Sequence, residues 1–94
     1  MTGNTSVSVV LPARNEAETV GPIVRAIRRD LPGLVDEIIV VDDGSVDGTG
    51  EVAAAAGAIV VGSPGGPGKG QAMRAGLLAT RADVVVFCDA DLYE

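Results

Sequence analysis

The chain has 94 residues, 47% of them hydrophobic, with 7 Lys and Arg against 13 Asp and Glu for a net charge of −6. That hydrophobic content excludes a disordered tail, no apolar run approaches the roughly 20 residues of a spanning helix, and the acidic balance opposes a nucleic-acid partner. With no His, a lone Cys and 2% aromatics, the chain lacks an imidazole base, an intrachain disulfide, a Cys-rich zinc site and the rings of a sugar-stacking module.

In chain order, Val7 to Leu11 is an apolar run stopped by Pro12 and reads as a buried strand. Val20, Ile23, Val24, Ile27 and Leu31 fall at helical spacing, which predicts a helix over about 17–30, with Asn15 and Glu18 as a capping pair and Arg25, Arg28 and Arg29 on its solvated side. Glu37 to Asp42 is a second buried strand, and an alanine-rich helix from about Asp47 to Ala56 ends at Gly57. Ala58 to Val61 is a third strand and 63–70 a Pro- and Gly-rich loop. A third helix follows over about 71–80 with Met73, Leu77 and Leu78 in its core face, then a fourth strand over Asp83 to Cys88.

The order β-α-β-α-β-α-β with continuously apolar strands is that of an α/β fold, a Rossmann-like parallel sheet covered by helices on both faces. Four polar clusters each follow a predicted strand or its loop: Arg14-Asn15-Glu16, Asp42-Asp43-Gly44-Ser45, Gly68-Lys69-Gly70 and Asp89-Ala90-Asp91. A parallel sheet brings the carboxyl ends of its strands to one edge, where such folds bind ligands.

Each cluster suggests its own chemistry. Carboxylates at i and i+2 of an extended chain point the same way, so Asp89 and Asp91 suit a cation. Oxygen donors without His or Cys favour Mg²⁺ or Mn²⁺ shared with substrate phosphates. Asp43 could accept from a base or a ribose, while Asp42 holds the turn and Ser45 or Asp47 caps the next helix. Glu16 could bind a ribose hydroxyl or a base edge, but on its own reads first as an acid at a helix N-terminus. The Gly68-Lys69-Gly70 segment offers backbone N–H groups and a cation to an anionic ligand. It is not a P-loop, because Ser63 and Gly70 stand where that motif needs its first Gly and its Ser or Thr. Gly48 to Ala53 nominally fits the dinucleotide fingerprint but starts too far beyond its strand, and no acid follows the third strand. Cys88, inside an apolar run, reads as core filler.

Val-Val-Leu-Pro-Ala-Arg-Asn-Glu at 9–16, Ile-Val-Val-Asp-Asp-Gly-Ser-Val-Asp-Gly-Thr at 39–49, Gly-Lys-Gly-Gln-Ala-Met at 68–73 and Phe-Cys-Asp-Ala-Asp-Leu at 87–92 together resemble the family 2 nucleotide-sugar glycosyltransferases of GT-A fold. The resemblance implies that Pro12, Ala13, Arg14, Glu16 and Asp43 line the nucleoside pocket. It implies that Gly68, Lys69 and Gly70 approach base or phosphate, and that Asp89, Ala90 and Asp91 form the DxD motif. Asp91 would bind Mg²⁺ or Mn²⁺, and Asp89 would hold ribose or support the ion.

Within that family, 31–40 and 67–72 resemble the group that transfers glucose from UDP-glucose to 3-phosphoglycerate. Asp43 departs from it, since a serine is expected there; Asp-Asp-Gly-Ser is the form common in family 2 and in polyprenyl-phosphate sugar transferases. The expected partners are therefore a nucleotide-sugar donor, with UDP-sugar favoured, and a small-molecule or lipid-phosphate acceptor. A non-catalytic nucleotide-sugar-binding fragment is the alternative. Residues 1–94 are expected to form one domain, the donor-binding part of a larger cytoplasmic enzyme. No catalytic base is identified, little turnover is expected from this chain alone, and exposed flanks favour a homo-oligomer.

Overall fold

The structure, a computed structural model, describes residues 5–63 and 68–89. The elements are β1 (Val7–Ala13), α1 (Val20–Asp30), β2 (Glu37–Asp42), α2 (Thr49–Ala55), β3 (Ile59–Gly62), α3 (Lys69–Leu78) and β4 (Val84–Phe87). All strand pairs are parallel, in the order β3-β2-β1-β4. The expected α/β architecture is thus present, with β1 and β2 central.

Alternate residues of a strand face opposite sides, and the core divides accordingly. Val9, Leu11, Ala13, Ile38 and Val40 pack with Val20, Ile23 and Val24 of α1 and Ala53 of α2. On the other face Val10, Ile39 and Val41 pack with Ala72 of α3. Double coverage explains why β1 and β2 are apolar at successive positions rather than alternating.

Several boundaries differ from the sequence expectation for identifiable reasons. β1 runs through Pro12, which stands in register with Val41, and Ala13 O accepts from Asp43 N at 2.9 Å. Alternation then directs position 12 toward β4, where Cys88 N donates to Val10 O at 2.9 Å. The next bond of that ladder would need an N–H at position 12, and proline has none. The β1–β4 ladder therefore ends, and Asp89 lies just beyond it.

Helix α1 starts at Val20 because Glu16 O already accepts from Thr19 N and Val20 N in a preceding turn. The Asn15–Glu18 capping pair does not form: Asn15 is left-handed, with φ 54°, and its Oδ1 accepts from Val46 N at 2.9 Å. Helix α2 starts at Thr49, leaving Asp47 outside it, and ends before Gly57 as expected.

The largest correction concerns α3. It begins at Lys69, so Lys69 and Gly70 belong to its first turn rather than to the loop, and its buried residues are Ala72 and Gly76. Leu77 and Leu78, expected in the core, are 52% and 75% exposed. A Cβ on Gly76 would meet Val10 Cγ1 at 2.3 Å and Val41 Cγ2 at 3.2 Å. The helix rests on the sheet through its smallest residues; Met73 is half-buried, and Leu77 and Leu78 turn outward.

Candidate functional site

Strand order reverses direction between β1 and β4, and a crevice outside the carboxyl ends of the strands is expected at such a point. A cleft of about 260 Å³ opens there, lined by Pro12, Ala13, Arg14, Glu16, Asp43, Gly68, Lys69 and Asp89. Four separated stretches of sequence thus meet at one place, as expected. Gly70 sits exposed in the first turn of α3 and does not line the cleft. Ala90 and Asp91 lie outside the described residues.

The two acids after β2 have different tasks. Asp42 Oδ1 accepts from Ser45 N at 3.0 Å and holds the turn. Its other oxygen stands 3.0 Å from where a Cβ on Gly50 would be, so the missing side chain lets α2 close over it. Asp43 is 7% exposed and lines the cleft, where its Oδ2 accepts from Gly68 N at 2.8 Å. This bond ties the end of β2 to the entry of α3. Gly68 has φ 137°, a backbone conformation that suits glycine alone.

Lys69 Nζ donates to Asp89 Oδ2 at 2.8 Å across the cleft, joining the first turn of α3 to the end of β4. Glu16 is held at both ends: its N–H donates to Thr49 Oγ1 at 2.9 Å, and its Oε2 accepts from Thr19 Oγ1 at 2.9 Å. Arg14 is exposed. The lining combines three carboxylates with two cations, a mixture suited to a ligand with both hydroxyl donors and anionic oxygens.

The residues that hold the Arg14–Glu16 turn in place are ones the sequence reading did not assign to the site. Asn15 N donates to Ser45 Oγ at 2.9 Å and Ala17 N to Asp47 Oδ2 at 3.1 Å. Asp47 also accepts from Thr49 N at 3.1 Å and from the Thr49 hydroxyl, as a cap would. The Thr49 hydroxyl bond, opposed by desolvation and aided by the Ala17 and Thr49 N–H groups, holds the Asp47 carboxyl below its ordinary value. Ser45 and Asp47 were readable as caps, but their reach across to another loop has no local sequence signal.

Cys88 is half-buried, and burial first, then the Asp89 charge, push its thiol up. A raised thiol is a poor nucleophile, in keeping with its reading as filler. Among the described residues no group of three His, Cys, Asp or Glu side chains could hold a metal ion, and no helix there is long and apolar enough to cross a membrane.

Residues 8–93 match the family described as glycosyl transferase family 2. The chain belongs to that family. The chain is similar to the glucosyl-3-phosphoglycerate synthase of Mycolicibacterium smegmatis, 50% identical over 96 residues that cover 95% of this chain and 32% of that protein. The crystal structure of the Mycobacterium tuberculosis enzyme of the same name superposes with a TM-score of 0.86 at 45% identity, covering 95% of this chain and 36% of that one. Another structure of it, in complex with Mn²⁺, UDP-glucose and phosphoglyceric acid, gives 0.83 at 45% identity over 93% of this chain and 33% of that one. The chain therefore spans about a third of the length of these relatives.

Proposed function

We propose that this chain is the donor-binding part of a divalent-metal-dependent glucosyltransferase that uses UDP-glucose, with 3-phosphoglycerate as acceptor. The observation that carries the reading is the cleft at the strand-order reversal. It gathers Arg14, Glu16, Asp43, Gly68, Lys69 and Asp89, from four separate stretches, in a chain that is 45% identical to a structure holding Mn²⁺, UDP-glucose and phosphoglyceric acid. In this reading Pro12, Ala13, Arg14, Glu16 and Asp43 face the nucleoside. Gly68, Lys69 and Gly70 approach base or phosphate, and Asp89 with Ala90 receives ribose or sugar.

The donor chemistry fits Mg²⁺ or Mn²⁺: Asp89 is a carboxylate at the cleft with no His or Cys ligand partner, and Asp91 follows it at i+2. In this reading Asp91 and Asp89 would hold the ion. Bound there, the ion supplies Lewis-acid stabilisation of the departing nucleoside diphosphate. The chain's own residues orient the donor and balance its charge.

Asp43 favours a second reading, a polyprenyl-phosphate sugar transferase, since Asp-Asp-Gly-Ser is the form common there. Calorimetric titration of UDP-glucose with and without Mn²⁺, into the chain and into Asp91→Ala, tests the proposal, with GDP-mannose as competing donor. Mn²⁺-dependent UDP-glucose binding lost in Asp91→Ala is expected. Absence of binding by the folded chain would overturn it, and preference for GDP-mannose would favour the second reading.

A further inference from the structure

Three successive backbone N–H groups of the turn after β1 are taken up by side chains of the turn after β2 and of the first residue of α2. Asn15 N donates to Ser45 Oγ, Glu16 N to Thr49 Oγ1 and Ala17 N to Asp47 Oδ2, at 2.9, 2.9 and 3.1 Å. Thr49 is central. It is fully buried, and its hydroxyl also bonds Asp47 Oδ1. An ionised carboxylate only accepts, so the hydroxyl proton goes to Asp47 and an oxygen lone pair receives the Glu16 N–H. Thr49 therefore uses both capacities, and neither contact reaches the cleft, which it does not line.

We infer that Thr49 is a positioning residue for donor binding: with Ser45 and Asp47 it clamps the Arg14–Glu16 turn so that Glu16 faces the cleft in one fixed orientation. The inference rests on the reading of the cleft as a UDP site, and it deepens that reading. An isosteric Thr49→Val change keeps the buried volume but leaves the Glu16 N–H without its acceptor and takes from Asp47 its hydroxyl donor, leaving only the Thr49 and Ala17 N–H groups. Thr49→Ser restores both. The geometry makes Glu16 the route by which the change reaches the ligand, so the effects of the two residues on affinity should not add.

The test combines two readouts. Amide hydrogen exchange of the ligand-free chain probes the clamp without any ligand. Glu16 N–H should exchange at least about ten-fold faster in Thr49→Val and near the wild-type rate in Thr49→Ser, as loss of one part-buried bond implies. Calorimetric titration with UDP and Mn²⁺ then reads the consequence. Thr49→Val should bind about five-fold more weakly and Thr49→Ser within two-fold of wild type. In a Glu16→Ala background, Thr49→Val should add less than a further two-fold. Unchanged Glu16 exchange, unchanged affinity in a folded Thr49→Val chain, or a full further loss in the Glu16→Ala background would each overturn the inference. Should Thr49→Val not fold, Ser45→Ala serves instead. Faster Asn15 exchange with about two- to three-fold weaker UDP binding is expected, and wild-type values for both would overturn it. A wild-type chain that does not bind UDP refutes the UDP site itself, and the exchange rates still decide the clamp.

Discussion

Lys69 and Asp89 meet at 2.8 Å across the mouth of the cleft, with 61% and 34% of their side-chain surfaces exposed. A pair in that setting contributes at most about 1 kcal/mol to folding, because water screens it and ordering a lysine costs entropy. Its position between the α3 entry and the β4 end gives it a different importance. Any anionic ligand placed between them must compete with Asp89 for the ammonium.

Lys69→Ala is therefore expected to leave the unfolding midpoint nearly unchanged while weakening UDP binding by about five-fold, the equivalent of about 1 kcal/mol. Raising ionic strength should narrow the gap between variant and wild type, since an exposed charge is screened by salt. Equal affinities at low salt would mean that Lys69 takes no part in holding the nucleotide.

The contact of Gly76 with Val10 and Val41 sets up an opposed pair of effects. Alanine is the better helix former by about 1 kcal/mol, but its Cβ would stand 2.3 Å from Val10 Cγ1. Such an overlap with a branched side chain in the sheet centre forces α3 away or Val10 off its rotamer, at a cost of about 1–3 kcal/mol. Gly76→Ala should lower the urea midpoint, whereas Leu77→Ala, on the half-exposed side, should stay within about 0.5 kcal/mol of wild type. A stabilised Gly76→Ala chain would mean that α3 does not sit this close to the sheet.

These two effects show where the sequence was legible. The order of the elements could be read because β1 and β2 carry unbroken apolar runs, Val9 to Leu11 and Ile38 to Val41, and the punctuation by Gly57 is clear. The cleft could be read because a parallel sheet sends each post-strand cluster to the same edge. Helix α3 could not be read in detail: the leucines attract attention, yet the helix packs through Ala72 and Gly76, and only the spacing to β1 and β2 reveals that. Pro12 looked like a strand end because its missing donor is harmless on the β2 side and terminates only the ladder with β4. The bonds from Asn15, Glu16 and Ala17 to Ser45, Thr49 and Asp47 span about thirty positions, and no local pattern encodes them.

Acid should loosen the same clamp. Asp47 is held below the ordinary carboxylate value of 3.8 chiefly by the Thr49 hydroxyl, and Asp83 chiefly by the Ser6 N–H and then by its hydroxyl. A carboxyl whose folded value is depressed adds stability that is complete above the unfolded value and lost as pH falls through the folded one. Stability should therefore hold level down to about pH 4 and fall below it. Asp47→Asn, which cannot titrate, should show a shallower fall below about pH 4 in urea midpoints. An unchanged slope would mean that Asp47 is not bonded in this way in solution.

The outer edge of β4 supports a prediction about association. Val84 N donates to Ser6 O and Cys88 N to Val10 O, so the even positions of β4 bond toward β1. Alternation then directs the backbone groups of Val85 and Phe87 outward, where no described strand pairs with them. Beside this open edge Val84, Val86 and Phe87 are 42%, 46% and 39% exposed. An unpaired edge lined with apolar side chains is a template for another strand. The mass measured by light scattering should rise with concentration for this chain. Val86→Lys should suppress the rise, because docking a second strand would desolvate the ammonium. A chain that stays monomeric at every concentration would show that something covers β4, and Val86→Lys would then leave the mass unaltered.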